Sequence, residues 1–186
     1  MLDYPSVSPR PVPDLDLRRE QVIRAARQIA EADGWPAVTM RRLADRLGVT
    51  QPVLYSAFAS RQALIDAVAL AGFADIAAAL EAVDSSPMAR MRAYLHFASA
   101  HPRVYEAMFS LPSGLTFAAD TTPEPLHRAF AGIYDAFPDA DGTRAEVAWS
   151  TLHGLATLQA SGRLRPSHVQ ARLDLAHRML TQVEIP

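Results

Sequence analysis

At 186 residues, 49 % of them hydrophobic and 20 % charged, the chain is the size and composition of one or two ordinary globular domains. It has no cysteine, which excludes disulfides and thiolate metal sites; no apolar run reaches the roughly 18 residues of a membrane span and no signal-peptide core opens the chain, so a cytoplasmic protein with no membrane role is expected. The formal net charge of −2 does not by itself point to nucleic acid, but residues 17–61 hold eight arginines against four acids while residues 62–186 hold nine against thirteen. A basic head on an acidic body is the asymmetry of a DNA reader with a separate effector part.

Residues 1–16 carry Pro5, Pro9, Pro11 and Pro13 with no apolar period and read as a flexible, Pro-rich arm. From Leu17 to Ala32 the apolar stripe Val22, Ala26, Ile29 and Ala30 predicts a helix that Gly34 ends, with Trp35 and Val38 plugging a small core. Two short helical patterns follow. Thr39, Thr50 and Ser60 each stand where a hydroxyl can accept a bond from a first-turn N–H. Leu43, Ala44 and Leu47 form one apolar face, Val53, Leu54 and Phe58 another, and Gly48 suits the left-handed residue between them. The spacing is that of a helix-turn-helix. The second helix, Gln51 to Phe58, is the reading helix, with Thr50, Gln51, Pro52, Tyr55 and Ser56 outward; Gln reads adenine edges, and Tyr and Ser reach phosphates or bases. Thr39, Arg41, Arg42 and Arg61 complete the candidate DNA contacts, because cations in a helix's first turn oppose its dipole but complement a phosphate. The competing reading is that these are solvated arginines.

On these residues the chain resembles the tetracycline-repressor (TetR) family of bacterial regulators. The matching positions are Val38-Thr39-Met40, Leu43-Ala44, Leu47-Gly48-Val49-Thr50, Leu54-Tyr55, Phe58, Arg61 and Leu64. The pattern departs at Ala57, where the family usually carries a histidine.

Ser60 opens a long helix to about Val83, apolar on so many sides that it must pack on both head and body, with Gly72 placed to allow a bend. Further helices are predicted from Ser86-Pro87, from His101-Pro102, over Pro125 to Phe137, Thr143 to Ser161 and Ser167 to Val183, with a loop over 111–122 and no strand. Ala93-Tyr94, Phe97-Ala98, His101-Pro102, Tyr105, Met108-Phe109, Trp149, His153-Gly154-Leu155, Leu158 and Gly162 are similar to the TetR-associated C-terminal domain named for its Trp and His-Gly residues. The resemblance implies an all-helical ligand-sensing body and a dimer made by the last two long helices. Leu152, Leu155 and Leu158 with Leu173, Leu175, Leu180 and Val183 are the candidate interface.

Six histidines show no HxxxH or HExxH spacing, so no metal and no cofactor is expected. His101 reads as a helix cap and His153 as a packing partner of Trp149. No G-x-S-x-G elbow or Gly-rich phosphate loop is present, so no enzyme is expected. Phe97, His101, Tyr105, Met108, Phe109, Phe130, Tyr134, Trp149 and His153 are the candidate ligand-binding residues, against plain core packing. The expectation is an all-α protein of about nine helices. A DNA-binding head (17–59) precedes a ligand-binding and dimerisation body (60–186). It acts as a homodimeric repressor that leaves an inverted-repeat operator in double-stranded DNA when an unknown small-molecule effector binds. The alternative is a helical carrier or enzyme with no DNA role.

Overall fold

A carboxylate starts the first helix: Asp14 accepts the N–H groups of Asp16 and Leu17, both at 3.1 Å, so α1 runs Leu15–Asp33. The computed structural model describes residues 14–117 and 119–182, and the arm before Asp14 lies outside them. The helix therefore takes in Leu15 and Asp16, which the sequence pattern left in the arm. Gly34, at φ 78°, closes α1, and a single 3-10 turn over Trp35–Ala37 buries the Trp35 ring. Thr39 accepts the Arg42 N–H at 3.1 Å and opens α2, Met40–Leu47. Gly48 ends it at φ 63°, ψ 34°, a left-handed conformation that any Cβ would strain. Then comes α3, Gln51–Ala57, with Leu54 and Ala57 buried. Phe58 falls just beyond α3 and fills the head's core, its ring under the Arg19 guanidinium at 4.5 Å.

Ser60 accepts the Ala63 N–H at 3.0 Å and starts α4, Arg61–Glu81. By length and composition alone this helix could cross a membrane, which a count of uninterrupted apolar residues had not suggested. Nine of its residues are buried against the rest of the chain, as expected of a central core helix. Around it lie α5 (Pro87–Ala100), α6 (Pro102–Phe109), α7 (Glu124–Tyr134), α8 (Thr143–Ala160) and, after a 3-10 turn, α9 (Val169–Thr181). With nine α-helices and no strand among the described residues, the fold is all-α. At Gly72, placed to allow a bend, α4 runs on as one helix, and the glycine is buried where α6 packs, a Cβ there falling 2.7 Å from Val104 Cγ1. Val183, expected in the last helix, lies outside the described residues.

Candidate DNA interface and effector cavity

All nine residues expected at the DNA are exposed and gather around α3. Their side chains are not equally available. Thr50 precedes α3 but makes no cap hydrogen bond, contrary to expectation, so its hydroxyl faces solvent uncommitted. Ser56 donates to the Val53 carbonyl at 2.7 Å. Gln51 and Tyr55 project from α3 with no hydrogen-bond partner among the described residues, and Arg41 likewise has none. Arg42 is ion-paired with Asp33. Arg61, expected as a phosphate clamp, instead donates from Nε to the Val38 carbonyl (2.8 Å) and from Nη2 to the Trp35 carbonyl (2.7 Å). The Trp35 carbonyl also accepts the Val38 N–H at 3.1 Å and takes Arg61 on its second lone pair, while the Val38 carbonyl lies just past the turn. Arg61 thus ties α4 to the turn beneath it. Where the family carries histidine, Ala57 is buried and its carbonyl accepts Arg19 Nη1 at 2.5 Å.

The body encloses a cavity of about 320 Å³ between α4, α5, α7 and α8, closed on one side by Phe109 at the end of α6 and by Phe117 of the following loop. Phe109, Phe130 and Trp149 line it as expected, as do Phe73, Ile76 and Leu80 of α4. The other six candidates do not. Phe97 and Met108 are core residues; Tyr134 donates to the Asp139 carbonyl at 2.9 Å. His101 stands before α6 without a side-chain cap bond, packs on Phe97 and faces a separate open cleft between α1, α4 and α6. Tyr105 and His153 lie in the second layer. Tyr94, Phe117, Thr122, His127, Glu146 and Ser150 line the cavity without having been in the candidate set.

Behind the wall runs a hydrogen-bond chain. Trp149 Nε1 donates to the Tyr94 hydroxyl (3.2 Å), the Tyr94 and Tyr105 hydroxyls are 2.9 Å apart, and Tyr105 meets His153 Nδ1 at 2.8 Å. An indole only donates, so Tyr94 accepts from Trp149, while the bonds from Tyr94 to Tyr105 and from Tyr105 to His153 Nδ1 can each run in either sense. Burial pushes the Tyr94 hydroxyl up to about 12 and Tyr105 higher still, so both keep their protons. Burial also lowers His153 below the ordinary histidine range. The unfolded chain then binds this proton first. The stability His153 contributes is full above about pH 6.5 and is lost as pH falls from there through its lower folded value. Urea midpoints between pH 5 and 8 are expected to fall on the acid side, and His153→Leu to flatten that part of the profile; an unchanged slope would remove His153 as its cause.

Head and body are joined at a second place besides α4. Glu31, near the end of α1, accepts the first-turn N–H groups of α6, Arg103 at 3.1 and 3.2 Å and Val104 at 3.1 Å. Trp35 Nε1 donates to the Arg103 carbonyl at 2.8 Å, and Arg27 pairs with Asp75 of α4 at 2.6 Å.

On α8 and α9 the exposed large apolar residues are Val147 (52 %), Leu158 (39 %), Val169 (40 %), Leu175 (51 %) and Met179 (64 %). Leu155 is half-buried beside them. Leu152, Leu173 and Leu180, expected at an interface between copies, are buried in the protomer's own core, because the helical period turns them to the opposite face.

A helix-turn-helix with an exposed second helix, joined by a core helix to a body with an apolar cavity, defines a DNA-binding regulator with a sensing part. Residues 22–68 match the model described as bacterial regulatory proteins, tetR family, and residues 88–183 the tetracyclin repressor-like C-terminal domain. The chain belongs to the TetR family of transcriptional regulators. It is 29 % identical over 161 residues to an uncharacterized HTH-type transcriptional regulator of Mycobacterium tuberculosis, covering 78 % of this chain and 72 % of that one. A shorter match, 51 % identical over 53 residues, is to the class C tetracycline repressor of Escherichia coli, 28 % of this chain and 24 % of that one. Among solved structures, a protein of unknown function from Rhodococcus sp. RHA1 superposes with TM-score 0.71 at 29 % identity, over 94 % of this chain and 97 % of that one.

Proposed function

We propose that two copies of this chain bind an inverted-repeat operator as a cytoplasmic repressor and leave it when a small molecule enters the cavity. The division into a reading head (17–59) and a sensing body (60–186) is part of this reading. The observation that carries it is the outward face of α3, where Thr50, Gln51 and Tyr55 stand uncommitted beside Arg41 while Leu54 and Ala57 anchor the helix to the core. Thr39, Pro52 and Ser56 flank that face; Arg42 contacts phosphate if the strand draws it from Asp33, and Arg61 supports the turn from behind. Pairing the exposed stripes of α8 and α9 about a two-fold axis would seat two heads in successive major grooves, about 34–36 Å apart. The cavity, with Phe109, Phe130 and Trp149 in its wall, is the effector site of this reading.

The test is duplex binding by fluorescence anisotropy, on fragments selected from the host genome, over a range of salt. Arg41→Ala is expected to weaken all duplexes alike and to lower the salt slope by about one unit. Gln51→Ala should instead change preference at particular base pairs by about 1–3 kcal/mol. Met179→Arg, on the exposed stripe, should give monomers with weak operator binding. A chain with no salt-dependent duplex binding would be a helical carrier, and a monomer that binds its operator normally would remove the dimer.

A further inference from the structure

Six aromatic side chains, Phe73, Tyr94, Phe109, Phe117, Phe130 and Trp149, stand in the cavity wall, and aromatic faces attract cations and repel anions. Every formal cation of this chain other than histidine is an arginine, yet no arginine lines the cavity among the described residues. Arg90, buried beside Gly132, does not reach the wall. The wall has one acid. Glu146 stands in the first turn of α8, with Trp149 and Ser150 following on the same face of the helix and into the same cavity. The helix dipole favours an acid there, so its position alone says little. Its lack of a partner says more. Glu81 is paired with Arg128, Glu106 with Arg103 and Asp75 with Arg27, whereas the Glu146 carboxylate has no ion pair or hydrogen bond among the described residues.

Two of the wall's polar side chains are committed to the layer behind it: Trp149 Nε1 is bonded to Tyr94, and the Tyr94 hydroxyl is engaged on both sides, by Trp149 and by Tyr105. What faces the cavity besides is a set of ring faces with one carboxylate at the rim, and the Thr122, Ser150 and His127 side chains. That combination recognises positive charge on an apolar body.

We propose that the effector is a lipophilic cation, held by the Glu146 carboxylate and the ring faces around it. This rests on the reading of the cavity as the effector site, and the experiment separates the two. Tetraphenylphosphonium and tetraphenylborate share a shape and differ in the sign of their charge; each is titrated against the full-length protein loaded with neutral Nile red. The phosphonium is expected to displace the dye with about tenfold or higher affinity than the borate. Glu146→Gln should reduce phosphonium affinity about two- to fivefold, and by more than it changes the affinity for neutral Nile red. Glu146 is exposed, so the fold should tolerate the change; a melting curve checks this, and Ser150→Ala serves as the variant that alters the same face without altering its charge. Equal displacement by the two ions, stronger displacement by the borate, or a phosphonium affinity indifferent to Glu146→Gln would overturn the cationic effector while leaving the cavity a ligand site. No binding of either the dye or the phosphonium would overturn both.

Discussion

Replacing Gly72 with alanine is expected to destabilise the protein by about 1–2 kcal/mol, although alanine is the better helix former by about 1 kcal/mol. The reason is the seam between α4 and α6. A Cβ on Gly72 would stand 2.7 Å from Val104 Cγ1, 2.8 Å from Met108 Sδ and 3.0 Å from Met108 Cγ. The thioether can swing aside. Val104 cannot, because a β-branched side chain in a helix has one strongly preferred rotamer and its surroundings are packed. Hence α6 itself must move off α4, and Gly72→Leu should cost more than about 3 kcal/mol or prevent folding. The internal control is Gly154, also inside a helix, where nothing lies within 4 Å of a built Cβ. Gly154→Ala is expected to raise stability by about 0.5–1 kcal/mol in the protomer. Urea midpoints of the two variants decide the matter, and a Gly72→Ala protein as stable as Gly154→Ala would mean that the seam yields freely.

That seam shows where reading the sequence ends. Thr39, Gly48 and Ser60 were legible because each does its work within three or four residues: the cap bond and the left-handed turn are local chemistry. Helix number and type followed from periodicity for the same reason. The partners of Arg61 were not legible because the carbonyls it bonds belong to a turn 23 and 26 residues earlier in the chain. The aromatic residues mark the same boundary. Period tells which face of a helix is buried; it does not tell whether the buried side chain borders another side chain, as Phe97 and Met108 do, or a void, as Phe109 and Phe130 do. Phe117 reaches the cavity from a loop with no period at all. Nor does anything near Glu31 distinguish it from a solvated acid near a helix end, since the N–H groups it caps lie 72 and 73 residues away.

Removing that cap together with its neighbouring bond is expected to uncouple the effector from the operator. In the proposed switch α4 would carry part of the coupling, but α6 touches both head and cavity more directly. Its first turn is bonded to the head through Glu31 and Trp35, and its last residue, Phe109, lines the cavity only seven residues from its start. So short a helix moves as a rod. A ligand that displaces Phe109 must then either break the bonds at the first turn or carry the end of α1 with it, and with α1 the reading helix packed in the same head. Effector and operator should weaken each other by one common factor, typically about 5–150-fold. In the double variant Glu31→Gln, Trp35→Phe the amide matches the carboxylate in size, and the smaller benzene ring leaves a void beside the buried indole site that lowers stability, so a melting curve must first show the head folded. The variant loses the carboxylate that accepts two backbone N–H groups and the indole N–H on Arg103. The coupling factor is expected to fall towards one while operator affinity in the absence of effector changes only a few-fold. The measurement is effector affinity with and without saturating operator, in wild type and double variant. If the double variant keeps the wild-type factor, the signal travels along α4 alone; if wild type itself shows a factor of one, the body senses nothing that the head can report.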